Sequence, residues 1–166
     1  GVLGLLAIQL LKSSGVRVAA IDINATKLEL AKKFGAELII NASENKIVEK
    51  INQWTGGYGS DAAILAVASS SSVPISNCFK LLKRKGKVVI LGAAGMDINR
   101  DDIYHKELDI ITSTSYGPGR YDKKFEQEGL EYPYGYVRWT ENRNMSEYLR
   151  LLQKKSIKVS NLISKE

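Results

Sequence analysis

The chain is poor in the residues that most often carry catalysis or metals. Its 166 residues include one cysteine, Cys78, and one histidine, His105. A single cysteine excludes an internal disulfide and a cysteine-rich zinc site, and it makes the reducing cytoplasm the expected compartment. One histidine leaves any Ser–His or Cys–His catalysis resting on His105 alone, and its setting among Asp102, Tyr104 and Lys106 reads as surface. Long apolar runs are missing too. None approaches the ~20 residues that a membrane-spanning helix needs. The apolar opening, residues 1–11, has neither a basic leader nor a small-residue cleavage site, so it does not read as a signal peptide.

What is present suits a globular domain of ordinary size: 44% of residues are hydrophobic and 25% charged. The formal net charge of +6 is concentrated in Lys80, Lys83, Arg84, Lys85 and Lys87. That run falls where a helix is expected to end, and cations there favour the helix dipole. No aromatics are interleaved with it, as a single-strand nucleic-acid binder would want, so a solvated helix end is expected and no nucleic-acid partner.

Apolar patterning predicts an alternation of elements. Residues 2–13 read as a buried helix stopped at Gly15, and residues 18–23 (VAAIDI) as a buried strand. Asn24 is placed to cap a helix over 25–34, followed by a strand at 37–41. Ser43 is placed to cap a helix carrying Ile47, Ile51 and Trp54. Further strands are expected at 62–67, 87–91 and 108–112, with a helix from Pro74 to about Lys85 between the first two. Met145, Tyr148, Leu149 and Leu152 recur at i, i+3, i+4 and i+7, which predicts a last helix packed through that stripe. Strand–helix alternation with continuously apolar strands predicts an α/β fold with a doubly wound parallel sheet. Composition shifts near Tyr116, so residues 1–115 are expected to form the sheet domain and 116–166 an aromatic-rich excursion with a C-terminal helix packed on it.

The chemistry-bearing signals lie near the start. Gly1-Val2-Leu3-Gly4 leads straight into a helix, with the spacing of the second and third glycines of a G-x-G-x-x-G dinucleotide turn. The turn's first glycine and the strand before it are absent, so a tight turn of no further meaning is an equal alternative. Asp22 stands 21 residues after Gly1 at the end of the first strand present. A carboxylate there accepts hydrogen bonds from the adenosine ribose hydroxyls and repels a 2′-phosphate, which favours NAD over NADP; the alternative is an Asp that caps the next helix. Ser69–Ser72 has neither the G-x-S-x-G elbow nor a G-K-[ST] ending, and reads as a polar helix start.

The segment GVLGLLAIQLLKSSGVRVAAIDINATKLELAKKFGAELIIN resembles the cofactor domain of the medium-chain dehydrogenase/reductase superfamily, the zinc-type alcohol dehydrogenases, and the likeness extends over residues 1–114. The segment SYGPGRYDKKFEQEGLEYPYGYVRWTENRNM is similar to a bacterial subgroup of two-domain oxidoreductases. The resemblance implies an NAD-binding Rossmann domain whose first strand is missing from the chain. It implies that Gly1, Val2, Leu3 and Gly4 meet the pyrophosphate, that Asp22 and Lys27 attend the adenosine ribose, and that Ala66, Val67, Ala68, Gly92, Ala93, Ser113 and Thr114 flank the nicotinamide side. It implies a parent enzyme that passes a hydride between nicotinamide and an alcohol or carbonyl substrate. Any zinc and the catalytic residues would lie in a separate domain, so no catalytic and no metal residue is expected here and the chain alone should be inactive. Family dimers join through the last strand, which makes 108–112 a candidate homodimer edge. A non-catalytic nucleotide-binding module and a methyltransferase of similar layering stay open as alternatives, the latter requiring an antiparallel final hairpin.

Overall fold

Helix α1, Val2–Ser13, buries Leu5, Ile8 and Gln9 on one side. It opens a series of alternating elements in a computed structural model that describes residues 1–163. The series continues with β1 (Ala19–Asp22), α2 (Ala25–Lys33), β2 (Leu38–Asn41), α3 (Ile47–Trp54), β3 (Ser60–Leu65), α4 (Val73–Leu81), β4 (Leu82–Ile90), α5 (Arg100–Tyr104) and β5 (Asp109–Thr112). These elements make one unit, Gly1–Thr112; the chain from Ser113 onward makes another.

Local chemistry explains most of the boundaries. Asn24 caps α2, its Oδ1 accepting from the Lys27 N–H at 3.1 Å, and Leu28 and Ala31 face the core. The expected cap of α3 is corrected: the helix starts after Lys46, not Ser43. The Ser43 N–H instead donates to Asn41 Oδ1 at 2.9 Å, a tight turn that delays the helix. Helix α4 has Pro74 in its first turn as expected but ends at Leu81, short of Lys85. Leu82 is extended there, and the Lys106 ammonium donates to the carbonyls of Phe79 (2.9 Å), Lys80 (3.1 Å) and Leu82 (2.7 Å), closing the helix end.

The basic run is therefore no helix end beyond Lys80, because Lys83, Arg84, Lys85 and Lys87 lie in β4. Their charges meet carboxylates: Lys83 with Asp61, Arg84 and Lys85 with Glu107, and Lys87 with Asp109. Strand β3 ends at Leu65, two residues before the predicted limit, where the N–H groups of Leu91 and Gly92 both donate to the Leu65 carbonyl at 3.0 Å.

Every strand pairing in the described residues is parallel, in the order β1-β2 and β3-β4-β5. No antiparallel final hairpin of the methyltransferase kind occurs among these pairings. The architecture is the Rossmann-like α/β arrangement, but its parallel strands form two sheets. β1 and β3 do not pair with each other, so each keeps one edge without a strand partner among the described residues. The core includes a cluster of Leu65, Ile75, Phe79, Leu82, Val88 and Ile90 around the larger sheet and one of Ile40, Ile51 and Leu81 beside the smaller.

The second unit holds α6 (Lys123–Glu126), α7 (Glu141–Gln153) and a 3-10 turn, Ser160–Leu162. The aromatic segment before α7 is tied down by Arg143, which donates to the carbonyls of Val137 (2.5 Å) and Tyr132 (2.9 Å) and pairs with Glu131 at 3.4 Å. The Tyr132 hydroxyl donates to Asp122 Oδ2 at 2.6 Å. The stripe predicted for α7 is corrected in part: Met145 and Leu149 are exposed, at 48% and 65%. The helix turns Glu141 and Asn144 inward instead, and the Asn144 amide donates to the Tyr116 carbonyl at 2.9 Å.

Candidate functional site

Within each sheet of the first unit the strands run parallel, so their carboxyl ends share one side, which is where open α/β sheets bind ligands. Gly1 is the residue before α1, and its nitrogen lies 3.4 Å from Asp22 Oδ2 at the end of β1. The other carboxylate oxygen, Asp22 Oδ1, accepts from the Asn24 N–H at 2.9 Å. Asp22 is thus oriented by the turn into α2, and the N–H groups of the first turn of α1 start beside it. Val2, Leu3 and Ile23 are exposed around this point, at 55%, 48% and 76%. The combination of a helix N-terminus, a fixed carboxylate and bare apolar side chains fits a phosphate, a ribose and a flat ring.

Gly4 packs toward β3, where an added β-carbon would stand 3.8 Å from Ala66 Cβ. That is ordinary contact, so the approach of α1 does not itself require glycine. Lys27 is exposed in the first turn of α2. Ala66 is half-buried just past β3, while Val67 and Ala68 are exposed.

The loops after β3 and β4 are laced together. The Ser69 N–H donates to the Ala93 carbonyl at 2.9 Å, the Gly95 N–H to the Ser69 carbonyl at 3.0 Å, and Ser69 bridges Ala94. A β-carbon on Gly92 would lie 2.0 Å from the Val67 carbonyl oxygen, and one on Gly95 would lie 2.5 Å from that of Ser70. Ser72 Oγ accepts from the Asp97 N–H at 2.9 Å, a structural role in keeping with the absence of a nucleophile motif. Gly95 and Ile23 carry no site expectation in the sequence. The glycine pair in GAAG after KVVIL was the available signal for the first of them.

The structure thus brings Gly1, Val2, Leu3, Gly4, Asp22, Ala66, Val67, Gly92 and Ala93 to the carboxyl ends of the strands. Ser113 and Thr114 follow β5 and belong to the second unit. His105 is exposed and touches the Tyr104 ring edge-on, with 5.6 Å between centroids. It lines an open groove of about 630 Å³ with Arg84, Arg100 and Leu108, at the amino ends of β4 and β5. Among the described residues no group of three or more His, Cys, Asp or Glu side chains could hold a metal ion. No described helix is long and apolar enough to cross a membrane.

Comparison with known proteins accords with this geometry. Residues 2–128 match the family described as "Zinc-binding dehydrogenase". The chain is 39% identical over 101 residues to the erythritol/L-threitol dehydrogenase of Mycolicibacterium smegmatis, covering 59% of this chain and 27% of that protein. It is 34% identical over 117 residues to the NAD-dependent alcohol dehydrogenase of Sulfurisphaera tokodaii, covering 70% of this chain and 32% of that protein. The solved structure of Escherichia coli quinone oxidoreductase complexed with NADPH superposes with a TM-score of 0.69 at 23% identity, covering 95% of this chain and 44% of that one. The chain spans about a third or less of the length of these two curated relatives. With a family match running through most of its residues and a Rossmann-like α/β fold, the chain belongs to the zinc-binding dehydrogenases of the medium-chain dehydrogenase/reductase superfamily.

Proposed function

We propose that this chain is the NAD(H)-binding domain of an alcohol-dehydrogenase-like oxidoreductase. The observation that carries the reading is Asp22, held by the Asn24 N–H at 2.9 Å beside the start of α1. From there its carboxylate can take both hydroxyls of an adenosine ribose, while a 2′-phosphate would meet a like charge. The names of the relatives point to a nicotinamide cofactor without separating NAD from NADP, and Asp22 is the ground for choosing NAD. Gly1, Val2, Leu3 and Gly4 would hold the pyrophosphate at the helix N-terminus, and Lys27 would add a cation near the ribose. Ala66, Val67, Ala68, Gly92, Ala93, Ser113 and Thr114 would attend the nicotinamide side.

The bound nicotinamide would exchange a hydride with an alcohol or carbonyl carbon; the chain's own part is binding and orientation. No described side chain is assigned a catalytic role, and any zinc would be held by residues outside those described. A catalytic domain is therefore the expected partner, and the chain alone should turn over no alcohol. The cytoplasm remains the expected compartment. The edge of β5, without a strand partner among the described residues, offers a homodimer contact by sheet extension, which sedimentation at tens of micromolar tests.

The deciding experiment is a fluorescence titration with NADH and NADPH. NADH should bind more tightly, and Asp22→Ala should narrow the gap by about 1.5–3 kcal/mol, the worth of a hydrogen bond to a charged group. Equal or tighter binding of NADPH by the unsubstituted chain overturns the assignment.

A further inference from the structure

The groove of about 630 Å³ at the amino ends of β4 and β5 is lined by none of the residues assigned to the nucleotide. Its volume is in the range of small-molecule sites. Ile103 and Leu108 supply half-buried apolar wall, and both pack against the core cluster of the larger sheet. Tyr104 and His105 stand exposed beside them, with Arg84, Arg100 and Glu107 as the charged lining.

The two arginines differ in what they already hold. Arg84 Nε donates to Glu107 Oε2 at 3.0 Å, and the Lys85 ammonium lies 3.3 Å from the other carboxylate oxygen. Those two hydrogen bonds, that from Arg84 first, keep the Glu107 carboxyl below the ordinary carboxylate range, so the cluster is an ion triad at neutral pH. Arg100 has no such partner. Its guanidinium lies over the Tyr104 ring, 3.8 Å from the centroid, and no carboxylate among the described residues pairs with it, Asp101 and Asp102 included. The ring satisfies no N–H, so the planar fork of Arg100 stays available for a bidentate acceptor.

The backbone keeps Glu107 in the lining at a cost. Its φ is +50°, and that of its partner Lys85 is +60°, a region that a β-carbon disfavours. Glu107 closes α5, the Leu108 N–H donating to the Ile103 carbonyl at 3.2 Å, at the position where glycine is the common choice. The carboxylate there occupies Arg84 and Lys85 and leaves one arginine fork open in the groove. One open fork calls for one carboxylate, and the remaining lining, Ile103, Leu108 and the half-exposed Tyr104 ring, suits a hydrocarbon body. We propose that this groove binds a small monocarboxylate with an apolar body, its carboxylate on Arg100 and its body against Ile103 and Leu108. This goes beyond the nucleotide reading and does not depend on it.

The test titrates the protein at fixed pH with hexanoate, hexanamide, acetate and adipate. His105 is the chain's single histidine, so its imidazole signal, with the Tyr104 ring signals, reports on this groove alone. Hexanoate should bind saturably. Hexanamide lacks the charge and should bind about tenfold or more weakly. Acetate lacks the body, adipate adds a charge for which no fork is open, and both should bind more weakly too. Arg100 is exposed, so Arg100→Gln should fold normally and weaken hexanoate binding about tenfold or more. Glu107→Gly suits the positive φ and releases Arg84, so adipate should gain on hexanoate in that variant. No saturable shift with hexanoate overturns the proposal, as does equal binding of any of the other three. Unchanged hexanoate affinity in Arg100→Gln, or an unchanged ratio of adipate to hexanoate affinity in Glu107→Gly, overturns it as well. NADH titration of the same samples reports separately on Asp22, so failure of one reading is distinguishable from failure of the other.

Discussion

Gly92 faces the carbonyl oxygen of Val67 so closely that a β-carbon on it would stand 2.0 Å from that oxygen. The loops leaving β3 and β4 can lace together only because this position has no side chain. Gly92→Ala should push them apart and cost about 1–3 kcal/mol or more, as overpacking does. NADH affinity should fall with it, since those loops would flank the nicotinamide. Gly135→Ala is the control: its added carbon meets nothing within 4 Å, and its stability should stay within about 0.5 kcal/mol. Thermal unfolding and NADH titration of both variants check this, and equal melting temperatures would refute the steric argument.

Lys106 acts on a helix more than twenty residues away. Its ammonium donates to the carbonyls of Phe79, Lys80 and Leu82, at 2.9, 3.1 and 2.7 Å. Partial burial lowers its pKa from the ordinary lysine value, with the nearby Asp102 charge opposing. Lys106→Met removes the donors and leaves the carbonyls at the end of α4 unanswered. The expected cost is about 1.5–3 kcal/mol, that of hydrogen bonds to a charged group. Lys83→Met loses only an ion pair to the exposed Asp61 and should cost less than about 1 kcal/mol. Denaturant titration of the two variants separates a partly buried cap from a surface pair.

Burial in α4 pushes the Cys78 thiol up from its ordinary value of 9.0 to about 11. The folded state therefore holds the thiol proton more tightly than the unfolded state does. Stability from this group is fully present below about pH 9 and is lost as pH rises through about 11. The loss is bounded at about 2–3 kcal/mol. Stability measured from pH 8 to 11 should fall more steeply for the natural chain than for Cys78→Ala. The thiol should also react slowly with alkylating reagents at neutral pH, since the thiolate is the nucleophile. Parallel curves for the two proteins would refute the burial argument.

The order of strands and helices is legible in the sequence because it is written in local signals. Asn24 caps α2 through its own side chain, and Pro74 marks the first turn of α4. Where a distant residue decides, the signal is absent. The end of α4 depends on Lys106, and the end of β3 on the N–H groups of Leu91 and Gly92. The periodicity of Met145 and Leu149 identifies α7 but not its buried side, which is set by Asn144 reaching the Tyr116 carbonyl. Helices α5 and α6 are too short for periodicity, although each is capped by a legible side chain, Asn99 and Asp122. Within the candidate site Asp22 is legible from its spacing to Gly1; the contact between Gly92 and Val67 is not, because it joins two loops.

The division of the sheet carries the last prediction. Three arrangements are conceivable where the fold's central strand would run: β1 pairs with β3, a further strand fills the place, or the edges stay bare. The structure excludes the first among its described residues, since β1 pairs only with β2 and β3 only with β4. Ile21 and Ile64, one on each of these strands, are both 37% exposed, whereas Val88 on β4 is fully buried. Over Lys87–Ile90, β4 is hydrogen-bonded along both edges, by β3 and β5. About half the amides of β1 and β3 should point to an unpaired edge and exchange with solvent rapidly, while those of this part of β4 exchange slowly. Hydrogen exchange followed by NMR should show alternate fast and slow amides along β1 and β3, against uniform protection over Lys87–Ile90 of β4. Uniform slow exchange in all three strands would mean that another strand, from the same polypeptide or from a second copy, lies between β1 and β3 in solution.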